Sequence, residues 1–162
     1  MALDIEAILG TLDRHGVEYI LIGGLAARLH GSPLLTDDVD ITPSARADNL
    51  RRLVAALREL GAELRVAGLE DGLPFDFDER SFHSTTAMTL TTREGPLDLC
   101  FRPEGTGGYD DLAEHAEKYE VFGLMIRVAS LDDVIRSKQA AGRDVDLQAL
   151  PTLHALRERK AG

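Results

Sequence analysis

The chain has 162 residues, 44% of them hydrophobic, with a formal net charge of -10. That length suits one domain, or a core with a helical extension, and the acidity argues against broad, non-specific nucleic-acid binding, which needs a basic footprint. The single cysteine, Cys100, excludes an intramolecular disulfide framework and a multi-cysteine zinc site. No apolar run approaches the roughly 20 residues that span a bilayer. Met1–Gly10 lacks the basic start and apolar stretch of a signal peptide, so a cytoplasmic protein without membrane attachment is expected. The charge is uneven: residues 1–126 carry 11 basic against 23 acidic side chains, and residues 127–162 carry 7 against 5.

In chain order, Leu3–His15 has near-helical apolar spacing and ends at Gly16. Val17–Ile22 reads as an apolar strand, and Gly23–His30 as the helix that follows, stopped by Gly31-Ser32-Pro33. Thr36–Thr42 reads as a second strand. Pro43-Ser44 opens a long amphipathic helix with Leu50, Leu53, Val54, Leu57 and Leu60 inside and Gly61 as its stop. Glu63–Val66 is a short strand, and Ala67–Ser84 reads as loop with short strand. Ala87–Thr92 and Leu97–Arg102 form a hairpin. After a glycine-rich loop, Tyr109–Lys118 reads as a short helix. Tyr119–Phe122 and Leu124–Val128 form a second hairpin around Gly123. Ser130 is a suitable N-cap for a helix over Leu131–Ala141, Gly142 breaks it, and a last helix runs over Asp144–Lys160, bending near Pro151. The expected class is α/β (α+β): a small mixed sheet with flanking helices and a C-terminal helical segment. Residues 1–128 form the core, and residues 129–162 a helical extension packed on it as one compact domain.

The chemistry concentrates in Tyr19–Ile41. Asp38 and Asp40 alternate with Val39 and Ile41, which on a strand puts both carboxylates on one face. Side by side they repel, and burying them unpaired is costly. A divalent cation relieves that cost, and carboxylate oxygen is the donor that Mg²⁺ or Mn²⁺ prefers. Gly23 and Gly24 let backbone amides come close to a phosphate at a helix start. A phosphate cradle beside a two-carboxylate metal site points to metal-assisted chemistry on a nucleoside triphosphate. Asp37 faces the other way and suits a cap or the surface. The five histidines show no ligand spacing, and Cys100, two residues from Asp98 on the same strand, suits a small buried hydrophobe.

The pattern Ile22-Gly23-Gly24, thirteen residues, then Asp38-Val39-Asp40-Ile41 resembles the signature of the nucleotidyltransferase superfamily, the DNA polymerase beta-like fold. The resemblance extends to a third acidic residue on a later strand, Leu97-Asp98-Leu99, and to Lys138, Arg143 and Asp146 in a Lys-x4-Arg-x2-Asp arrangement similar to that of toxin-type bacterial nucleotidyltransferases. It implies Asp38, Asp40 and Asp98 as catalytic residues and metal ligands. Asp98 serves as ligand or as base for the acceptor hydroxyl, and Asp76 is a rival for its place. It further implies a nucleotide site at Gly23, Gly24, Lys138, Arg143 and Asp146, with Asp146 either orienting one of the cations or facing the acceptor. Where many relatives carry Ser at the second glycine position, this chain has Gly24.

The activity implied is transfer of an NMP from an NTP to an acceptor hydroxyl, with tRNA or a protein as acceptor and a cognate antitoxin as a further partner. Two alternatives stay open. One is a small hydroxylated, aminoglycoside-like acceptor, compatible with the acidic body. The other is a non-catalytic, nucleotidyltransferase-like antitoxin or binding module.

Overall fold

The computed structural model describes residues 2–161. The first half of the chain forms α1 (Ile5–Arg14), β1 (Tyr19–Ile22), α2 (Gly23–Leu29), β2 (Val39–Pro43), α3 (Ala47–Glu59) and β3 (Glu63–Leu64). A 3-10 turn at Glu79–Phe82 precedes β4 (Ala87–Thr92) and β5 (Gly95–Cys100). Then come α4 (Tyr109–His115), β6 (Glu117–Val121), β7 (Leu124–Val128), α5 (Leu131–Ala141) and α6 (Asp144–Ala161).

The seven strands among the described residues form one mixed sheet in the order β3-β4-β5-β2-β1-β7-β6. The pairs β2–β5 and β1–β7 are parallel and the rest antiparallel. The apolar run of β1 buries Tyr19, Ile20 and Leu21 on both faces, as a central strand requires. In β5, Leu97 and Leu99 are buried while Asp98 and Cys100 are half-buried, the period-2 signature of a strand with one core face and one open face. Val39 and Ile41 of β2 join Leu97 and Leu99 in the core, together with the buried stripes of α1 and α3. Helices α5 and α6 contribute Val134, Ile135, Leu153 and Leu156 to the same cluster.

Polar groups fix the joins. Asp4 caps α1 by accepting from the Ala7 amide at 3.0 Å, and Ser130 caps α5 by accepting from the Asp133 amide at 3.1 Å. Asn49, fully buried on α3, accepts from the Glu18 amide at 2.7 Å and donates to the carbonyls of Glu18 (2.9 Å) and Ser44 (2.8 Å). Its amide is therefore satisfied, as burial demands. His30 is buried as packing: its Nε2 donates to Ala129 O at 2.7 Å, and Lys160 Nζ lies 2.7 Å from its Nδ1. Burial, above all, pushes its pKa down, which suits a neutral ring accepting from an ammonium. Among the described residues no helix is long and apolar enough to cross a membrane.

Several element boundaries differ from the sequence expectation: β1 starts at Tyr19 rather than Val17, Pro43 ends β2 so that α3 starts at Ala47 rather than at Pro43-Ser44, and β5 covers Gly95–Cys100 rather than Leu97–Arg102. The second strand begins at Val39 rather than Thr36. Ile22 of β1 pairs with Asp40 as the last rung before β1 turns into α2, so residues 36–38 have no β1 residue to pair with. Thr36 Oγ1 instead donates to Asp38 O at 3.0 Å and closes a local bend. The helix expected over Tyr109–Lys118 stops at His115, because Glu117 and Lys118 pair with Val128 and Arg127 in the β6–β7 ladder. Part of the segment read as loop with short strand is the 3-10 turn, closed by Asp78 and Ser81 in reciprocal side chain–backbone bonds.

Candidate active site

The parallel pairing of β2 with β5 puts Asp40 directly opposite Asp98, with Val39 opposite Leu97 and Ile41 opposite Leu99. The apolar residues fix this register, since a slip by one would turn every buried side chain to the wrong face. Two carboxylates 58 positions apart in sequence thus stand on neighbouring strands of one face. Asp38, in the bend before β2, completes the set: each of the three offers a carboxylate oxygen, all lying within 4.8 Å of one another.

The electrostatics are strongly unfavourable as they stand. Burial pushes the Asp40 carboxyl up to about 8, reinforced by the charges of Asp38 and Asp98. Asp98 is also raised, first by burial and then by Asp38, while the Arg65 guanidinium pulls the other way. Arg65 Nη2 donates to Asp98 Oδ1 at 2.6 Å. An oxygen-only donor set in mutual repulsion is what a hard divalent cation such as Mg²⁺ or Mn²⁺ fits. Asp38, Asp40 and Asp98 are the residues that would hold it.

Gly23 stands against this cluster. Its φ is +69° and a Cβ there would collide with the Asp40 carboxylate, so the backbone approaches the acid only because no side chain intervenes. No side chain caps the start of α2, which leaves its first amides to other acceptors. A Cβ on Gly24 would meet Thr36 Cβ and Oγ1 at 3.0 Å. Thr36 thus crowds the space that a side chain at position 24 would use, a local reason for glycine here.

A cavity of about 680 Å³ opens over the sheet. Gly23, Gly24, Asp40 and Asp98 form one side, and Lys138, Arg143 and Asp146 come from the α5–α6 junction opposite. Asp38 does not line it. The αL conformation of Gly142 (φ +63°) ends α5 and turns the chain into α6, which brings Lys138 and Arg143 onto one acid. Arg143 Nε donates to Asp146 Oδ2 at 2.7 Å, Arg143 Nη2 to Oδ1 at 3.2 Å, and Lys138 Nζ lies 3.7 Å from Oδ1. Asp146 is only 2% exposed, and burial alone would raise its carboxyl, but the hydrogen bonds and charge of Arg143, joined by the Lys138 charge, together set it below the ordinary range. Asp146 therefore holds both cations at the cavity wall.

Other candidates fall outside. The Asp76 side chain is exposed and 3.8 Å from Arg58 Nη2, away from the cluster. His83 is exposed. Cys100 lines the cavity, but burial, with Asp40 and Glu104 nearby, raises its thiol pKa, which keeps it neutral. A second acidic set, Asp111, Glu114 and His115 on α4, is mostly exposed, and Asp111 Oδ2 already accepts from the Gly107 amide and Arg136, each at 2.8 Å. Arg65 carries no local signal: its pairing crosses from the end of β3 over β4 to β5, and nothing in Glu63–Val66 announces it.

No protein-family model and no curated relative matches the chain. Solved structures do. A lincosamide antibiotic adenylyltransferase, LnuA, bound to lincomycin, is 16% identical with a TM-score of 0.63, over 96% of this chain and 99% of that one. The antibiotic-resistance factor ANT(2″)-Ia in complex with adenylyl-2″-tobramycin is 18% identical with a TM-score of 0.55, over 96% of each chain. An antigenic nucleotidyltransferase-like protein from Paracoccidioides brasiliensis is 19% identical with a TM-score of 0.51, over 94% of this chain and 74% of that one. The chain has the fold of the nucleotidyltransferases.

Proposed function

We propose that the protein is a metal-dependent nucleotidyltransferase that moves an NMP from an NTP to an acceptor hydroxyl and releases pyrophosphate. The observation that carries this reading is the in-register pair Asp40–Asp98, joined by Asp38 within 4.8 Å, beside a glycine turn and a cavity. The amides at Gly23-Gly24 receive phosphate oxygens. Lys138 and Arg143 neutralise charge on the triphosphate from across the cavity, held there by Asp146. Asp38, Asp40 and Asp98 hold the divalent ion, which when bound supplies Lewis-acid charge neutralisation and orients the phosphates. The acceptor oxygen attacks the α-phosphorus, the bond from the α-phosphorus to the bridging oxygen breaks, and the hydroxyl proton passes to Asp98.

For the acceptor, two classes draw support about equally, and one is a small hydroxylated molecule. The charged lining of the cavity is mostly acidic, with Asp40, Asp98, Glu104, Asp133 and Asp146 against Lys138 and Arg143, and both cations are engaged by Asp146. Such a wall suits a neutral or cationic acceptor better than an RNA backbone. The antibiotic-bound neighbours support the same class. The toxin reading, with tRNA or protein as acceptor and a cognate antitoxin, draws on a different observation: Lys138, Arg143 and Asp146 line the same cavity. The non-catalytic binding module has less support, since all three carboxylates stand together.

Each α-³²P-labelled NTP incubated with Mg²⁺ or Mn²⁺ and, separately, an antibiotic panel, total RNA and total protein tests this. Label moved to one acceptor class, and lost in Asp40→Ala, identifies the reaction. Binding of nucleotide with no transfer to any acceptor would favour the binding module instead.

A further inference from the structure

Among the described residues, Asp98 is the one carboxylate of the three with an ion-pair partner, Arg65. The contact is a single hydrogen bond from Nη2 to Oδ1 at 2.6 Å rather than a two-pronged clamp, so it is the weaker, more readily exchanged form of an arginine–carboxylate pair. The base of the side chain is fixed: the Arg65 amide donates to Thr89 O at 3.0 Å, and Thr89 is the β4 residue directly opposite Asp98. The head borders solvent: the side chain is 39% exposed, so the guanidinium can turn to water without burying its charge. An anchored stem, a single-point contact and a solvated exit are the properties of a cation that occupies a carboxylate and can leave it.

We propose that Arg65 is a resident counter-ion: it occupies Asp98 until substrate assembles the site, then yields that carboxylate to a divalent cation, so that the Asp98-dependent ion binds only with nucleotide. This rests on the reading of Asp98 as the third ligand. Arg65 is a positioning residue in this scheme, acting through Asp98. It spares the site a third uncompensated carboxylate when no cation is bound. It also ties loading of that ion to the arrival of the triphosphate, whose own oxygens complete the ion's shell.

Mn²⁺ binding, followed by the EPR signal of free Mn²⁺ with and without a non-transferable α,β-methylene NTP, tests it without turnover. The wild-type protein is expected to bind the Asp98-dependent ion only with the analogue. Arg65→Ala and Arg65→Gln are expected to bind it without the analogue, with affinity raised about tenfold because a unit charge has left a site a few ångströms away. Arg65→Lys, which keeps the charge, is expected to behave as wild type. Arg58→Ala, which removes an equal charge from α3, is expected to leave the isotherm unchanged. Thermal melting of each variant in EDTA establishes that it is folded. An Arg65→Ala isotherm that superimposes on wild type, while Asp98→Asn weakens Mn²⁺ binding, overturns the proposal and leaves the ligand reading standing. If Asp98→Asn has no effect while Asp40→Asn abolishes binding, Asp98 is not a ligand, and the reading beneath the proposal fails with it.

Discussion

Asp40 shows how one residue couples site and stability. Its carboxyl is raised to about 8 by burial and two like charges. The folded protein therefore holds a proton that the unfolded chain releases near the ordinary carboxylate value, about 4. Between those two values the native state binds more protons than the unfolded state, so stability falls as pH rises. In EDTA, the melting temperature of wild type relative to Asp40→Asn is expected to decline from about pH 4 to about pH 8, and Mn²⁺ is expected to flatten the decline. Melting curves across that range check it, and parallel curves for the two proteins would count against the burial argument. Asp40→Asn is also expected to abolish transfer while remaining folded. At Gly23, Ala is doubly opposed: a positive φ costs about 1–2 kcal/mol for an L-residue, and the new Cβ collides with the Asp40 carboxylate. Gly23→Ala is expected to lose nearly all transfer activity with a modest fall in melting temperature. Asp40 and Asp98 stood out in the sequence because alternation with buried aliphatics exposes a strand-borne acid to view, and Asp38 joined them by the same spacing although it lies in the bend before β2. Arg65 did not, since its meaning depends on a strand neighbour 33 residues away.

The element that most needs its partners is the α5–α6 junction. Gly142 turns the chain, and Asp146 gathers the Arg143 guanidinium, the Arg143 amide and the Lys138 ammonium. Asp146→Ala leaves two cations facing each other without their shared acid. It is expected to cost about 1–3 kcal/mol, less than a fully buried pair because Arg143 is largely solvated. Because both cations then lose their aim, KM for the NTP is expected to rise about tenfold, with kcat less affected. Steady-state kinetics with circular dichroism melting separate the two effects. The junction was legible as Gly142 between two helical periods, whereas the ends of β2 and α4 were not. Those ends are set by ladder partners, Ile22 for β2 and Val128 for the start of β6, and a local pattern carries no record of a distant partner.

Across the whole molecule, the helical C-terminus shares its core with the sheet. Leu153 is fully buried, and Ala149 and Leu156 nearly so. Leu153→Ala is expected to cost about 2–5 kcal/mol and to lower the single melting transition of the chain as a unit. Two separate transitions by calorimetry would instead divide residues 1–128 from the remainder. The order of strands was beyond reach of the sequence, which showed hairpins but not that β5 inserts beside β2. That insertion has a kinetic consequence. The strands carrying Asp40 and Asp98 meet only after α3, β3 and the 3-10 turn have been looped out between them, a non-local closure that folds slowly. During refolding the hairpin β4–β5 can form alone, yet it presents one acid. Tight Mn²⁺ uptake is therefore expected only after β5 has docked beside β2, and a refolding trace followed by metal binding is expected to lag one followed by helix content.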